Sequence, residues 1–173
     1  MDKALATRHV MQANKSANTK PELEVRRYLR SVGLQGYRLH WKKAPGRPDI
    51  CYPGRRVAIF VNGCFWHRCP RCSLPSPRTN VEFWSNKFER NRARDQRNYE
   101  DLRNDGWTVV VVWECQLKGD RRARSLGEVA SLVREVPTAV PACAGAGRVV
   151  EVGSSSAWQL VRSRRRLRRT RCR

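Results

Sequence analysis

The stretch WTVVVVW, residues 107–113, sets four consecutive valines between Thr108 and Trp113. β-branched side chains are stiff about χ1 and pack well on a pleated surface. A run of them with no polar alternation predicts a strand covered on both faces, at the centre of a sheet. RVAIFV (56–61) is a second run of this kind. Between them lies TNVEFWSNKFERNRARDQRNYEDLRN (79–104), which reads as a long polar helix. Thr79 and Glu82 form a capping-box pair at its start, Trp84, Phe88, Tyr99 and Leu102 supply a thin apolar stripe, and Gly106 stops it. The remaining, heavily charged face reads as solvated. Strand, helix and buried strand in that order predict an α/β domain.

Working outward, TKPELEVRRYLRSVG (19–33) predicts a helix with Thr19 as N-cap, Pro21 in the first turn and Glu22 closing a capping box. Leu23, Tyr28, Leu29 and Val32 are its expected core face, and Gly33 its stop. YRLHW (37–41) alternates as a strand would, APGRPD (44–49) supplies a turn, and DICY (49–52) begins another short strand. After residue 118 the pattern weakens. SLGEVASLVREV (125–136) reads as one more helix, while the Ala/Gly/Ser-rich segment 138–157 and the arginine tail read as flexible. The expected organisation is a basic arm (1–19), a catalytic-type domain (20–118) and a C-terminal extension (119–173).

The chain carries 36 Lys+Arg against 15 Asp+Glu, a net charge of +21. Setting aside the eight arginines of RSRRRLRRTRCR (162–173) still leaves +13 on the rest. So basic a body repels itself unless it meets a polyanion, which makes nucleic acid the leading partner and an anionic membrane surface the weaker one. No apolar run approaches the ~20 residues of a membrane span. MDKALATRHVMQANKS (1–16) lacks the apolar centre of a secretory signal. A cytoplasmic protein is expected, with its seven cysteines reduced.

Reduced cysteines point to metal ligands before disulfides. In VNGCFWHRCPRC (61–72), Cys64, Cys69 and Cys72 are spaced x4 and x2, and Cys115 lies at the exit of the last strand. Four soft ligands suit a closed tetrahedral zinc site that pins this knot to the sheet; small buried thiols that bind nothing are the plainer alternative. His67, with an imidazole suited to proton transfer near neutrality, is then spare. Asp49 after Pro48, Glu22 in the first helix and His67 converge on one sheet edge near Val61 and Asn62. Phosphodiester hydrolysis calls for groups of these types: a carboxylate-held divalent metal, a means of activating water and a proton source. Taken singly, an Asp after Pro is a common turn residue and a Glu in a first helical turn a common cap partner.

NKSANTKPELEVRRYLRSVG, YRLHWKKAPGRPDICYPGRRVAIFVNGCFWHRC, TNVEFWSNKFERNRARDQRN and GWTVVVVWEC follow in order the blocks of a known family. Over roughly residues 8 to 117 the chain resembles the very short patch repair (Vsr-type) DNA mismatch endonucleases. The resemblance implies a restriction-endonuclease-like mixed sheet flanked by helices, with structural Zn²⁺ and catalytic Mg²⁺. It implies a nick 5′ to the T of a T:G pair, the product of 5-methylcytosine deamination, and hence a functional link to a cytosine-5 DNA methyltransferase. By position, Asp49 is the magnesium carboxylate, Val61 offers its backbone carbonyl, His67 is the catalytic histidine and Glu22 assists. Asn62 stands where some members carry a second histidine, and is expected to orient a water or a phosphate. Met11, Phe65 and Trp66 match apolar groups inserted beside the mismatch, with core packing as the plainer reading of the two aromatics; Lys42, Lys43 and Arg47 are further expected DNA contacts. HRCPRC replaces a His/Cys ligand arrangement of some members and shifts the zinc towards four cysteines. A monomer is expected. Two other functions remain open: a non-catalytic zinc module that binds nucleic acid by charge and stacking, and a restriction-type nuclease with a different target.

Overall fold

The computed structural model describes residues 17–138 and 147–153. The expected arm, with Met11, and the arginine tail lie outside the described residues. The core is a four-stranded sheet of β1 (Ile50–Tyr52), β2 (Val57–Asn62), β3 (Thr108–Trp113) and β4 (Arg148–Glu151), in that spatial order. β1 runs antiparallel to β2, while β2, β3 and β4 are mutually parallel, giving a mixed sheet. The two apolar runs are its central strands, paired from Val57 with Thr108 to Asn62 with Trp113. Among the described residues three α-helices accompany the sheet: α1 (Lys20–Ser31), α2 (Val81–Asn104) and α3 (Arg121–Glu135). Parallel neighbours need a long crossover, and α2 and α3 supply the β2-to-β3 and β3-to-β4 connections.

Side chains alternate across a strand, so β2 and β3 feed two separate cores. On one face Ile59, Val110 and Val112 pack with Val25 and Leu29 of α1 and with Leu126, Val129 and Val133 of α3. On the other, Ala58, Phe60, Val109 and Val111 pack with Leu102, Trp107, Cys64 and Cys69. Coverage of both faces is the reason the two runs show no polar alternation. Because α3 contributes to the first core, packing continues without a break past residue 118.

Three local expectations differ from the structure. YRLHW is not a strand: Arg38 alone makes an isolated bridge to Cys51, and His40 then turns into the left-handed region at φ 45°. Helix α2 is capped by Asn80 rather than Thr79. Asn80 adopts φ 54°, a conformation that Asn tolerates better than Thr. Arg148–Glu151, inside the segment expected to be flexible, is strand β4. Neighbouring Ala, Gly and Ser hid its short RVVE run, and its partner is β3 rather than a local hairpin. The indole N–H of Trp113 donates to Glu151, and the Gln116 amide donates to the Val152 carbonyl. No described helix is long and apolar enough to cross a membrane.

Candidate active site and metal centre

Asp49 sits just before β1, where the antiparallel pairing carries it to the end of β2. Its Oδ2 accepts the Val61 N–H at 2.7 Å. Helix α1 brings the second acid to the same edge. Glu22 is 3 % exposed, and its Oε2 accepts from Arg26 of the next turn at 2.8 Å and from the Asn18 N–H at 3.0 Å. Its other oxygen accepts the Thr19 hydroxyl at 2.8 Å and the Thr19 N–H at 3.4 Å, so the acid expected to cap α1 also faces the site. His40 lies between the two carboxylates, with Nδ1 3.8 Å from Asp49 Oδ1 and Nε2 3.8 Å from Glu22 Oε2.

Burial pushes the Asp49 carboxyl up to about 6, opposed by the Val61 N–H, reinforced by the negative charge of Glu22, and opposed by Arg26 and His67. Glu22 and His67 each lie within electrostatic reach of Asp49. In the metal-free protein the raised Asp49 contributes stability that is fully present below its ordinary 3.8 and is lost as pH rises through about 6. A difference of roughly two pH units corresponds to about 3 kcal/mol. Asp49→Asn is accordingly expected to gain on the order of 3 kcal/mol over wild type between pH 4 and 7 in chelator. Urea unfolding at several pH values measures it, and parallel curves for the two proteins would reject it.

The buried Glu22–Arg26 pair has a sharper consequence. Arg26 is 5 % exposed, so Arg26→Met leaves Glu22 without its counter-ion in a dry site. Breaking one partner of such a pair costs about 3–5 kcal/mol. The midpoint of urea unfolding is expected to fall accordingly, and a change below 1 kcal/mol would show that water reaches Glu22.

Helix α2 completes the site with two residues the sequence reading left on a solvated face, Asn91 and Asp95, and one it placed in the apolar stripe, Tyr99. Asn91, Asp95 and Tyr99 recur at i, i+4 and i+8 and so share one stripe. The Asn91 amide donates to the Trp66 carbonyl at 2.9 Å. Asp95 pairs with His67 Nδ1, and the Asn62 amide donates to the Tyr99 hydroxyl at 2.9 Å. Burial, ahead of every other cause, pushes the Tyr99 phenol up, so it stays protonated at neutral pH. As site residues, Asp95, Tyr99, Arg26 and His40 were not singled out by sequence; Tyr99 was read only as part of the apolar stripe. The spacing of the α2 stripe beside Phe88 and Leu102 was the available signal for the first two.

Phe65 and Trp66 are half-buried and meet the start of α2. Phe65 packs edge-on against Trp84 and Phe88, with ring centroids 5.5 and 5.3 Å away, and Trp66 lies 6.0 Å from Trp84. Phe83, 45 % exposed, extends this aromatic group to the surface. Lys42, Lys43 and Arg47 are exposed on the loop that leads into Asp49.

The four expected cysteines also come together. The Sγ atoms of Cys64, Cys69, Cys72 and Cys115 all lie within 4.8 Å of one another, with Cys69 and Cys115 at 3.8 Å. The turn after β3 delivers Cys115, whose N–H donates to Cys64 Sγ at 3.3 Å. Burial first, then the Cys72 thiol, pushes Cys115 up to about 11. A soft metal cation is what converts such crowded thiols to thiolates, and this group could hold one.

Comparison with known proteins agrees with this arrangement. The family model for "DNA mismatch endonuclease Vsr" matches residues 2–72. The type II nicking enzyme V.XorIIP of Xanthomonas oryzae pv. oryzae is 50 % identical over 112 residues, 64 % of this chain and 80 % of its own. V.NmeAIP of Neisseria meningitidis, another type II nicking enzyme, is 38 % identical over 133 residues, 76 % of this chain and 91 % of its own. The DNA mismatch endonuclease Vsr of Escherichia coli K12 is 37 % identical over 118 residues, 68 % and 74 % of the two chains. A buried acid centre on a mixed sheet and relatives of this kind define an endonuclease class. Within it, the chain belongs to the DNA mismatch endonuclease Vsr family.

Proposed function

We propose that this protein nicks one strand of duplex DNA 5′ to the T of a T:G mismatch left by 5-methylcytosine deamination, and so initiates very short patch repair. The observation that carries this reading is the convergence of Asp49, Glu22 and His67 beside an aromatic group and exposed cations. A non-catalytic nucleic-acid module has no use for a buried Glu22–Arg26 ion pair or for the histidine paired with Asp95.

Oxygen donors at a buried, charge-rich edge fit a hard divalent cation, and Asp49 with the Val61 carbonyl would hold Mg²⁺. When bound, that ion supplies polarisation of the scissile phosphate and charge for the leaving oxygen. The protein's own groups do the rest. Asp95 fixes His67 through Nδ1, which leaves Nε2 free to take a proton from an attacking water. Glu22, anchored by Arg26, assists from α1. Asn62, anchored by Tyr99, orients a water or a phosphate oxygen. Phe65, Trp66 and Met11 act as the wedge: a wobble pair unstacks at lower cost than a matched one, and inserted apolar groups read that deformability. Lys42, Lys43 and Arg47 hold phosphates.

Four thiolates around zinc at ~2.3 Å make a tetrahedron with edges of about 3.8 Å. The Cys69–Cys115 separation has this value. With four protein ligands the site is closed, and its zinc is structural. The same reading takes the sheet as restriction-endonuclease-like, the protein as a monomer working beside the nucleoid in the bacterial cytoplasm, and its biological partner as a cytosine-5 methyltransferase.

The test is a nicking assay on labelled duplexes with T:G in several cytosine contexts and paired controls, in Mg²⁺ or EDTA. A single nick 5′ to the mismatched T, lost in EDTA, is expected. Cleavage of paired duplex would keep the nuclease and discard the repair role. Salt-sensitive binding without cleavage in any context would favour the zinc binding module.

A further inference from the structure

The acid centre contains an imidazole that the chemistry above leaves idle. We propose that His40 is a positioning residue, which holds the Asp49 and Glu22 carboxylates at the spacing a divalent cation requires; this rests on the reading of Asp49 as the metal carboxylate.

Three observations carry it. The ring lies between the two acids, 3.8 Å from an oxygen of each, and its Nε2 is 3.3 Å from the Arg26 guanidinium. Such distances lie just outside direct hydrogen bonding. The ring therefore works as a wedge that keeps two like charges apart while sealing the space between them.

Its backbone is held in place from both sides. Arg38 exchanges hydrogen bonds with Cys51 at 2.7 and 2.8 Å, and Trp41 packs on Trp107 with ring centroids 6.0 Å apart. Between these anchors His40 takes φ 45°, a left-handed conformation that is unfavourable for a side chain-bearing residue. Strain of this kind persists where the surroundings over-determine it, and it concentrates at functional sites. Here the turn carries the imidazole to the acids.

The contacts of the two ring nitrogens differ. Arg26 already balances Glu22, and its guanidinium facing Nε2 makes that nitrogen an acceptor and leaves Nδ1–H towards Asp49. Asp49 is thus restrained at Oδ2 by the Val61 N–H and faces the imidazole Nδ1 at Oδ1. A Lys or Arg in place of His40 would neutralise the carboxylate and compete with the cation. Outer groups that orient a metal ligand without competing for it typically change metal affinity 10–100-fold when removed.

The experiment is Mn²⁺ binding to the full chain, followed by electron paramagnetic resonance, for wild type, D49A, H40G, H40Q and H40F. Nicking rates and duplex affinity in EDTA are measured alongside. Gly accepts φ 45° freely, so H40G removes the ring without backbone cost. H40F keeps a ring of similar shape with no nitrogen, and decides the question if H40G does not fold. Expected are a loss of Mn²⁺ affinity of about tenfold or more in H40G and H40F, partial recovery in H40Q, and unchanged duplex affinity in EDTA. Wild-type Mn²⁺ affinity in folded H40G or H40F would overturn the proposal, as would wild-type protein that binds no Mn²⁺ through Asp49. If D49A alone abolishes Mn²⁺ binding and the His40 variants weaken it, yet no duplex is cut, the positioning role stands and the nuclease reading fails.

Discussion

Asp49→Ala is expected to reduce strand cutting by about three orders of magnitude while leaving duplex affinity in EDTA within about twofold of wild type. The size follows from what the carboxylate is asked to do. A metal at the scissile phosphate contributes several kcal/mol of charge stabilisation, and ~4 kcal/mol corresponds to about a thousandfold in rate. Binding survives because it is carried elsewhere: the described cations Lys42, Lys43 and Arg47 are exposed, whereas Asp49 is held inward on the Val61 N–H. The variant also removes a carboxyl whose ionisation burial opposes, so it should unfold no more easily than wild type at neutral pH. Single-turnover cleavage at saturating protein, with parallel anisotropy titrations, separates the two effects. A tenfold or smaller rate loss would remove Asp49 from the metal site, and a matching collapse of binding would make it a DNA contact.

The second large effect is expected at the thiol cluster. Cys69 is 6 % exposed and packs in the core beneath β2 and β3. Cys69→Ser offers a hydroxyl, a poor zinc ligand, and leaves three crowded thiols without the cation that would tie them together as thiolates. Metal binding to such sites is folding free energy, about 10–16 kcal/mol in small finger peptides. This chain has an independent core on the opposite face of the sheet, so a smaller loss, on the order of 5 kcal/mol, is expected. At roughly 2–4 °C per kcal/mol for a chain of this size, the melting temperature should fall by about 10 °C or more. Cutting should fall too, although no acid is touched, because the knot that would hold the metal also carries Phe65, Trp66 and His67. Thermal unfolding with release of bound zinc, followed by a colorimetric chelator, tests both parts. One equivalent of zinc retained by the variant, with an unchanged melting temperature, would sink the idea.

What could be read from the chain depended on the range of the signal. The central strands were legible because burial on two faces writes a continuous apolar run, and α1 because its capping residues are local. The cysteines were legible by spacing, and the structure brings all four together. Strand β4 was not, since four residues that pair with β3 over a long crossover leave no local alternation to read. His40 was missed for a related reason: alternating YRLHW describes a strand, and nothing local shows that the chain turns left-handed within it. Asp95 lies in a helix so charged that it looked like solvated surface, and Tyr99 was read as an apolar stripe residue with no sign of the hydroxyl's partner.

That stripe makes α2 a measuring rod. Trp84 and Phe88, near one end, belong to the aromatic group, while Asp95 and Tyr99 hold His67 and Asn62 further along. At ~1.5 Å per residue, the eleven positions from Trp84 to Asp95 span about 16 Å that cannot stretch. Deleting one residue between them would shorten the span only slightly but swing the far end by ~100° about the helix axis. The offset between where a duplex is pried open and where its backbone is cut would then be fixed by the covalent length of a helix, and homologues with altered offsets should differ there in whole turns.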